Sequence, residues 1–169
     1  MNILLEEHTL KNKVAEIAAQ INADYKNKNP VLVGILKGSF VFMADLIRNI
    51  SIPVEIDFLC IASYDGKESS GVVRLSNDLS MNIEDREVIV IEDIIDSGRT
   101  ISFILDNLGT RRPRSLAVCT LLNKKENRVV TVPLTYVGFN IPSVFVVGYG
   151  LDYQNQYRNL PYIGVLDGS

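Results

Sequence analysis

The sequence has little of what marks a membrane protein, a disulfide scaffold or a general nucleic-acid binder. No apolar run approaches the ~18 residues expected of a membrane span, and Met1 to Lys11 is too acidic for a secretory leader. Cysteine occurs only twice, at Cys60 and Cys119, each within a stretch that reads as a strand. Buried thiols are therefore expected rather than a disulfide. Positive charge is not in excess: 17 Lys and Arg stand against 20 Asp and Glu, for a net charge of −3. With a pI of about 5.2, broad binding to nucleic acid or to an anionic membrane is disfavoured. The single histidine, His8, lies in a polar N-terminal stretch and is read as solvated. Two nucleotide-binding patterns are also missing. Without Gly-x-x-x-x-Gly-Lys-Ser/Thr a P-loop nucleotidase is disfavoured, and without Gly-x-Gly-x-x-Gly so is a dinucleotide Rossmann site. Neither an internal repeat nor a low-complexity segment occurs. What remains, at 169 residues with 47% hydrophobic and 22% charged positions, is one cytosolic domain with a sizeable core.

The most informative stretch runs from Val88 to Thr100. It opens as an uninterrupted apolar run, Val88-Ile89-Val90-Ile91, which predicts a strand buried on both faces, as in a parallel sheet. Glu92 and Asp93 follow, then Ile94, Ile95 and Asp96, and then the small polar loop Ser97-Gly98-Arg99-Thr100. Ile101, Ile104, Leu105 and Leu108 continue at helical spacing. Strand, glycine loop and helix N-terminus is a phosphate-binding geometry, because free N–H groups converge where the helix dipole favours an anion. The carboxylates just before the loop would repel a phosphate unless they hold hydroxyls, a metal or a proton.

Around this stretch the pattern alternates strand and helix. Leu10, Val14, Ile17, Ala18, Ile21 and Tyr25 predict an amphipathic helix from Thr9 to about Lys26, with Thr9 as its cap. Val31 to Leu36 reads as a buried strand, and Phe40 to about Asn49 as a helix. Ile52 to Tyr64 reads as a longer strand at or near a sheet edge, with Val54, Ile56 and Phe58 on one side and Glu55 and Asp57 on the other. The polar segment Asp65 to Gly71 and the resumed strand Val72 to Leu75 suggest a hairpin arm able to act as a lid. Further strands are expected at Ser115–Leu122, Leu134–Val137, Val144–Val147 and Tyr162–Leu166. The fold class is thus α/β, a parallel sheet with a small β-rich annex.

Open α/β sheets bind ligands beyond the C-terminal ends of their strands. Three such ends carry distinctive residues: Lys37-Gly38, Glu92 to Thr100, and Asn123-Lys124. If the three strands are neighbours, one cleft holds two lysines, three carboxylates and an anion-binding loop. That set suits a substrate bearing several phosphates and a diol.

Val90 to Thr100, Val-Ile-Glu-Asp-Ile-Ile-Asp-Ser-Gly-Arg-Thr, resembles the phosphoribosyl-pyrophosphate signature of type I phosphoribosyltransferases, in the acidic pattern of their hypoxanthine/guanine branch. The resemblance extends to Leu36-Lys37-Gly38, Ala62-Ser63-Tyr64, Leu121 to Lys124, Phe145 to Tyr149, Leu151-Asp152-Tyr153 and Tyr157 to Leu160. It implies one domain over residues 1–169: a mostly parallel central sheet flanked by helices (core about 9–135), a small β-rich hood (the N-terminal segment and about 136–169) and a flexible hairpin loop. It also implies a site. Glu92 and Asp93 would meet the ribose hydroxyls and help hold Mg²⁺. Asp96 would be the general base, and Ser97, Gly98, Arg99 and Thr100 would cradle the 5′-phosphate. Lys37, Gly38 and Arg158 would line the pyrophosphate site, at a peptide typically cis. Lys124, Phe145 and Val146 would hold the purine, with Asp152 beside them as a ligand of a second Mg²⁺. Ser63 and Tyr64 would root the mobile loop. The expected substrates are phosphoribosyl pyrophosphate and a 6-oxopurine, hypoxanthine and also guanine, and the expected assembly is a homodimer or homotetramer. Neither nucleic acid nor membrane is expected as a partner. Two alternatives stay open: another purine specificity such as xanthine-guanine, and a regulator of this fold that binds nucleic acid, favoured only by Arg111-Arg112-Pro113-Arg114.

Overall fold

Val88 to Ile91 lack any polar alternation because both of their faces are covered. In the computed structural model, which describes residues 1–63 and 73–166, they lie within β5 (Glu87–Ile95), a central strand of a six-stranded sheet. Ile89 and Ile91 point into one core, with α1 (Glu7–Asp24) and α2 (Phe40–Asn49), through Leu10, Val14, Ile17, Phe42 and Leu46. Val88 and Val90 point into the other, with α3 (Arg99–Gly109), through Ile101, Ile104 and Leu108. Each such side chain, fully buried, contributes roughly 1.5–3 kcal/mol of hydrophobic stabilisation.

The large sheet has β5 flanked by β2 (Val31–Leu36) and β6 (Ser115–Asn123), both parallel to it. Beyond β2 lie β3 (Glu55–Ser63), parallel, and β4 (Val73–Asn77), antiparallel to β3; beyond β6 lies β7 (Tyr136–Asn140), parallel. A second, three-stranded sheet joins β1 (Asn2–Leu5), β9 (Ile163–Val165) and β8 (Val146–Val147), all antiparallel. Cys119 is fully buried and Cys60 partly so, and both are free thiols. No helix among the described residues is long and apolar enough to cross a membrane.

Several elements differ from expectation. Strand β1 was not foreseen, and because it runs directly into the first helix, only Glu6 remains to turn the chain. The cap is therefore Glu6, whose carbonyl accepts from Leu10 N–H at 3.1 Å, and Thr9 lies inside the first turn. Strand β3 starts at Glu55 rather than Ile52, since Pro53 cannot donate to a ladder and the chain before it is tied to Asn22, which accepts from Ser51 N–H at 2.9 Å. The polar side of β3 is not its solvent side. Asp57 is buried and accepts from the N–H groups of Ser80 and Met81 at 2.8 and 2.9 Å, whereas Ile56 is exposed. Strand β7 lies later than Leu134–Val137, because pairing with β6 runs from Cys119↔Tyr136 to Asn123↔Asn140. Leu134 packs instead on the α3 side of the core. The expected hairpin pairing is seen as β3 against β4; Tyr64 and the loop Asp65–Gly71 fall outside the described residues, and Ser63 is the last residue of β3.

Candidate active site

The ends of β2, β5 and β6 are neighbours, so the residues that follow them meet. Glu92 and Asp93 belong to β5 itself and are held by ladder pairing, with Glu92 opposite Thr120 of β6. Glu92 is buried. Burial, and then the charge of Asp93 beside it, push the Glu92 carboxyl well above the usual range. Burial raises Asp93 as well, opposed by the Ile94 N–H that donates to its Oδ1 at 2.8 Å and by nearby Arg158.

The strand ends at Ile95, and Asp96 is exposed at the turn that follows. Gly98 caps α3 in the left-handed conformation, φ 87°, which a side chain would strain. A Cβ there would also stand 2.4 Å from the Val130 carbonyl. The N–H groups of the first turn of α3 have no acceptor within the helix, and that of Arg99 donates to Ser97 Oγ at 3.4 Å. Ser97, Gly98 and Thr100 line a cavity of about 290 Å³ together with Glu92, Asp93, Asp96 and Gly38. Arg99 is the exception: its side chain is exposed and lines no part of this cavity.

A second cavity, of about 400 Å³, shares Gly38, Asp93, Ile94 and Asp96 with the first and adds Lys37, Lys124, Phe145, Val146, Leu151, Asp152 and Arg158. Lys124 follows β6, is buried, and places Nζ 3.3 Å from Asp96 Oδ2. Phe145 precedes β8 and is 41% exposed despite its apolar surroundings. The ring of Tyr153 meets it edge to face, with centroids 5.7 Å apart. Arg158 and Asp152 form an ion pair at 2.7 Å, and Arg158 also donates to the Gly150 carbonyl at 2.6 Å.

Backbone contact makes the two cavities one cleft. The Leu36–Lys37 peptide is cis. A Cβ on Gly38 would fall 1.7 Å from Asp93 Oδ2, and one on Gly150 2.3 Å from the Gly38 carbonyl. Sequence reasoning missed Gly150 and Ile94. Gly150, at φ 101°, gave no signal beyond being a glycine; Ile94 could have been suspected from its place between Asp93 and Asp96. The basic cluster just after α3 is neutralised locally: Arg111, Arg112 and Arg114 pair with Asp78, Glu84 and Asp85 at 2.7, 2.6 and 2.8 Å.

Comparison with known proteins bears on the family and the fold. The family model described as "Phosphoribosyl transferase domain" matches residues 2–154. A hypoxanthine-guanine phosphoribosyltransferase of Dictyostelium discoideum is 50% identical, over 97% of this chain and 94% of that protein. One from Streptococcus pyogenes serotype M3 is 46% identical, over 97% and 92%. The crystal structure of a hypoxanthine-guanine phosphoribosyltransferase from Bacillus anthracis superposes with a TM-score of 0.94 at 47% identity, covering 98% of both chains.

Proposed function

The chain belongs to the phosphoribosyl transferase family, and from that premise we propose a cytosolic, Mg²⁺-dependent enzyme of purine salvage. It moves the 5-phosphoribosyl group of phosphoribosyl pyrophosphate onto hypoxanthine or guanine, giving IMP or GMP and pyrophosphate. The observation that carries the choice of base is the Lys124–Asp96 pair, 3.3 Å apart. One edge of a 6-oxopurine presents an acceptor, O6, next to a donor, N7–H. An ammonium beside a carboxylate is the complement of that edge. A 6-amino base would set its donor against Lys124, which can only donate.

The other roles follow the cleft. Glu92 and Asp93 accept hydrogen bonds from the ribose 2′ and 3′ hydroxyls. The backbone of Ser97 to Thr100, with the Ser97 and Thr100 hydroxyls, takes the 5′-phosphate; Arg99 contributes through its N–H alone. Lys37, Gly38 and Arg158 line the pyrophosphate. Phe145 stacks on the base, and Val146 meets its edge through the backbone. As the C1–O bond to pyrophosphate breaks, the sugar gains oxocarbenium character. N9 of the purine bonds to C1, the N7 proton passes to Asp96, and pyrophosphate leaves with the bond electrons. Water that would capture the sugar must be kept from the reacting centre; the loop expected to do so starts after Ser63 and lies outside the described residues.

The donors fit magnesium. Glu92, Asp93 and Asp152 offer only hard carboxylate oxygens, and among the described residues no group of three His, Cys, Asp or Glu converges into a cage. Mg²⁺ commonly binds through one or two carboxylates while keeping waters and substrate phosphates. Glu92 and Asp93 would hold one such ion and Asp152 a second; when bound, the metal neutralises charge on the pyrophosphate. The small sheet with the turn after it serves as the hood of one domain, and the assembly is a homodimer or homotetramer, which sedimentation would resolve. The activity is tested by mixing protein, sugar donor and Mg²⁺ with hypoxanthine, guanine, xanthine and adenine in turn. Nucleotide from hypoxanthine and guanine is expected, and none from any 6-oxopurine overturns the reading.

A further inference from the structure

Among the described residues, one buried side-chain nitrogen or oxygen lacks a partner: Nη1 of Arg128. Its sister Nη2 donates to Asn123 Oδ1, and Asn123 in turn donates to Asn140 Oδ1 at 2.8 Å. The guanidinium is thus anchored to the end of β6 by one nitrogen and left with a free donor on the other. No carboxylate among the described residues pairs with it, in contrast to Arg111, Arg112 and Arg114. A charged donor without an acceptor is costly to bury, so its place calls for an explanation.

That place is the phosphate loop. Arg128 Cδ and Nη1 would stand 3.1 and 3.2 Å from a Cβ on Gly98, closer than an ordinary side-chain contact. The residues after it hold the loop as well. Val129 and Val130 N–H both donate to the Ser97 carbonyl, at 2.9 and 3.0 Å, and Lys124 N–H donates to the Ile95 carbonyl at 3.0 Å. The segment from Lys124 to Val130 therefore wraps the turn from Ile95 to Gly98 and sets an unpaired cation against its glycine. The side chain of Arg99, which sits in the loop itself, faces out instead.

We infer that Arg128 is a positioning residue of the 5′-phosphate site, a partly buried counter-charge that acts through the Gly98 loop and favours the dianionic phosphate. The inference rests on the phosphoribosyl reading of that loop. A fixed charge in low dielectric within a side chain's length of a dianion acts far more strongly than one in solvent. Because a phosphate monoester loses its second proton near pH ~6, the effect has a pH signature that a purely structural arginine would lack.

The experiment is titration of the protein with ribose 5-phosphate, with ribose as control, at about pH 5.5 and 7.5. Wild type, Arg128→Gln and Arg128→Lys are compared, and their melting is recorded. Arg128→Gln should lose about tenfold in affinity at the higher pH and much less at the lower. Arg128→Lys should stay within about threefold of wild type at both. Equal affinity of Arg128→Gln and wild type overturns the inference, as does a loss shared by both variants and independent of pH. Should Arg128→Gln not fold, the lysine variant decides: a tenfold loss overturns the role of charge, and retained affinity with the wild-type pH dependence supports it. Failure of wild type to bind ribose 5-phosphate would overturn the phosphoribosyl reading itself.

Discussion

The two halves of the cleft hold their charges differently. On the side of β5 and the glycine loop, Glu92 and Asp93 are adjacent like charges, the first buried and both raised by burial. On the side of the small sheet the ionic groups are already paired, Lys124 with Asp96 at 3.3 Å and Arg158 with Asp152 at 2.7 Å. In the first half, burial favours the protonated carboxyls, so hydroxyl donors or a cation would lower the cost of ionising them. The second is satisfied at rest and must exchange its partners for substrate. Ligand binding to the first relieves a cost, so tight donor binding is expected there. Binding to the second replaces one good contact by another, which yields discrimination more than affinity.

Substitutions at the junction should separate the halves. Asp96 belongs to both cavities. Asp96→Asn is expected to lower kcat by ~10²–10⁴-fold, the usual worth of a general base, while the dissociation constant for the sugar donor stays nearly constant; an unchanged rate removes Asp96 from the mechanism. Gly38→Ala comes next. Its Cβ would collide with Asp93 Oδ2 at 1.7 Å, and a side-chain end, not backbone, has to give way. The fold should therefore melt near the wild-type temperature while kcat/KM falls by ~10²-fold, the cost of displacing a catalytic contact by about 1 Å. A cold-labile or unfolded variant would show that the close approach of Gly38 to Asp93 is structural instead.

The base half is tested by Lys124→Met. Loss of a charge-assisted hydrogen bond of roughly 1.5–3 kcal/mol should raise KM for hypoxanthine by about 10- to 100-fold. KM for the sugar donor should move by less than about threefold, and the discrimination against adenine should shrink. Equal effects on both substrates would erase the distinction between the halves.

That distinction also governs what could be read in the chain. The first half is contiguous. Glu92 to Thr100 follow one another, and a buried strand entering a polar glycine loop is visible in the apolar run itself. The bounds of β2 and α2 were likewise legible, since each begins and ends where its apolar pattern does. The second half is assembled. Lys124 could be placed by its strand end, but Phe145, Asp152 and Arg158 come from separate places, and no local spacing tells that they line one cavity with Asp96 and Lys124; only the resemblance to a family brought them there. The same limit hid β1, four residues whose pairing partner, β9, lies at the other end of the chain. It also hid Arg128, which in the sequence is one more charge after Lys124, Lys125 and Glu126. Arg99 belongs to the contiguous motif, which brings its backbone N–H to the loop while its side chain is exposed.

The smallest effect bears on the unmet charge of the first half, and its sign can be worked out. A carboxyl whose folded pKa is raised binds its proton more tightly in the folded state. Its contribution favours folding fully below the unfolded pKa, about 4.5 for Glu92, and is lost as pH rises through the folded value. Glutamine at position 92 keeps the shape and never ionises. Glu92→Gln, denatured by urea in the absence of donor and Mg²⁺, should match wild type near pH 4.5 and exceed it at pH 7.5. A gain of about 1 kcal/mol would appear as a rise in Tm of roughly 2–4 °C for a domain of this size. Adding phosphoribosyl pyrophosphate with Mg²⁺ should reverse the order, because only the wild type then recovers the cost of holding two carboxylates side by side. A variant less stable than wild type at neutral pH would mean that Glu92 is already satisfied, and that both halves of the cleft rest in the same state.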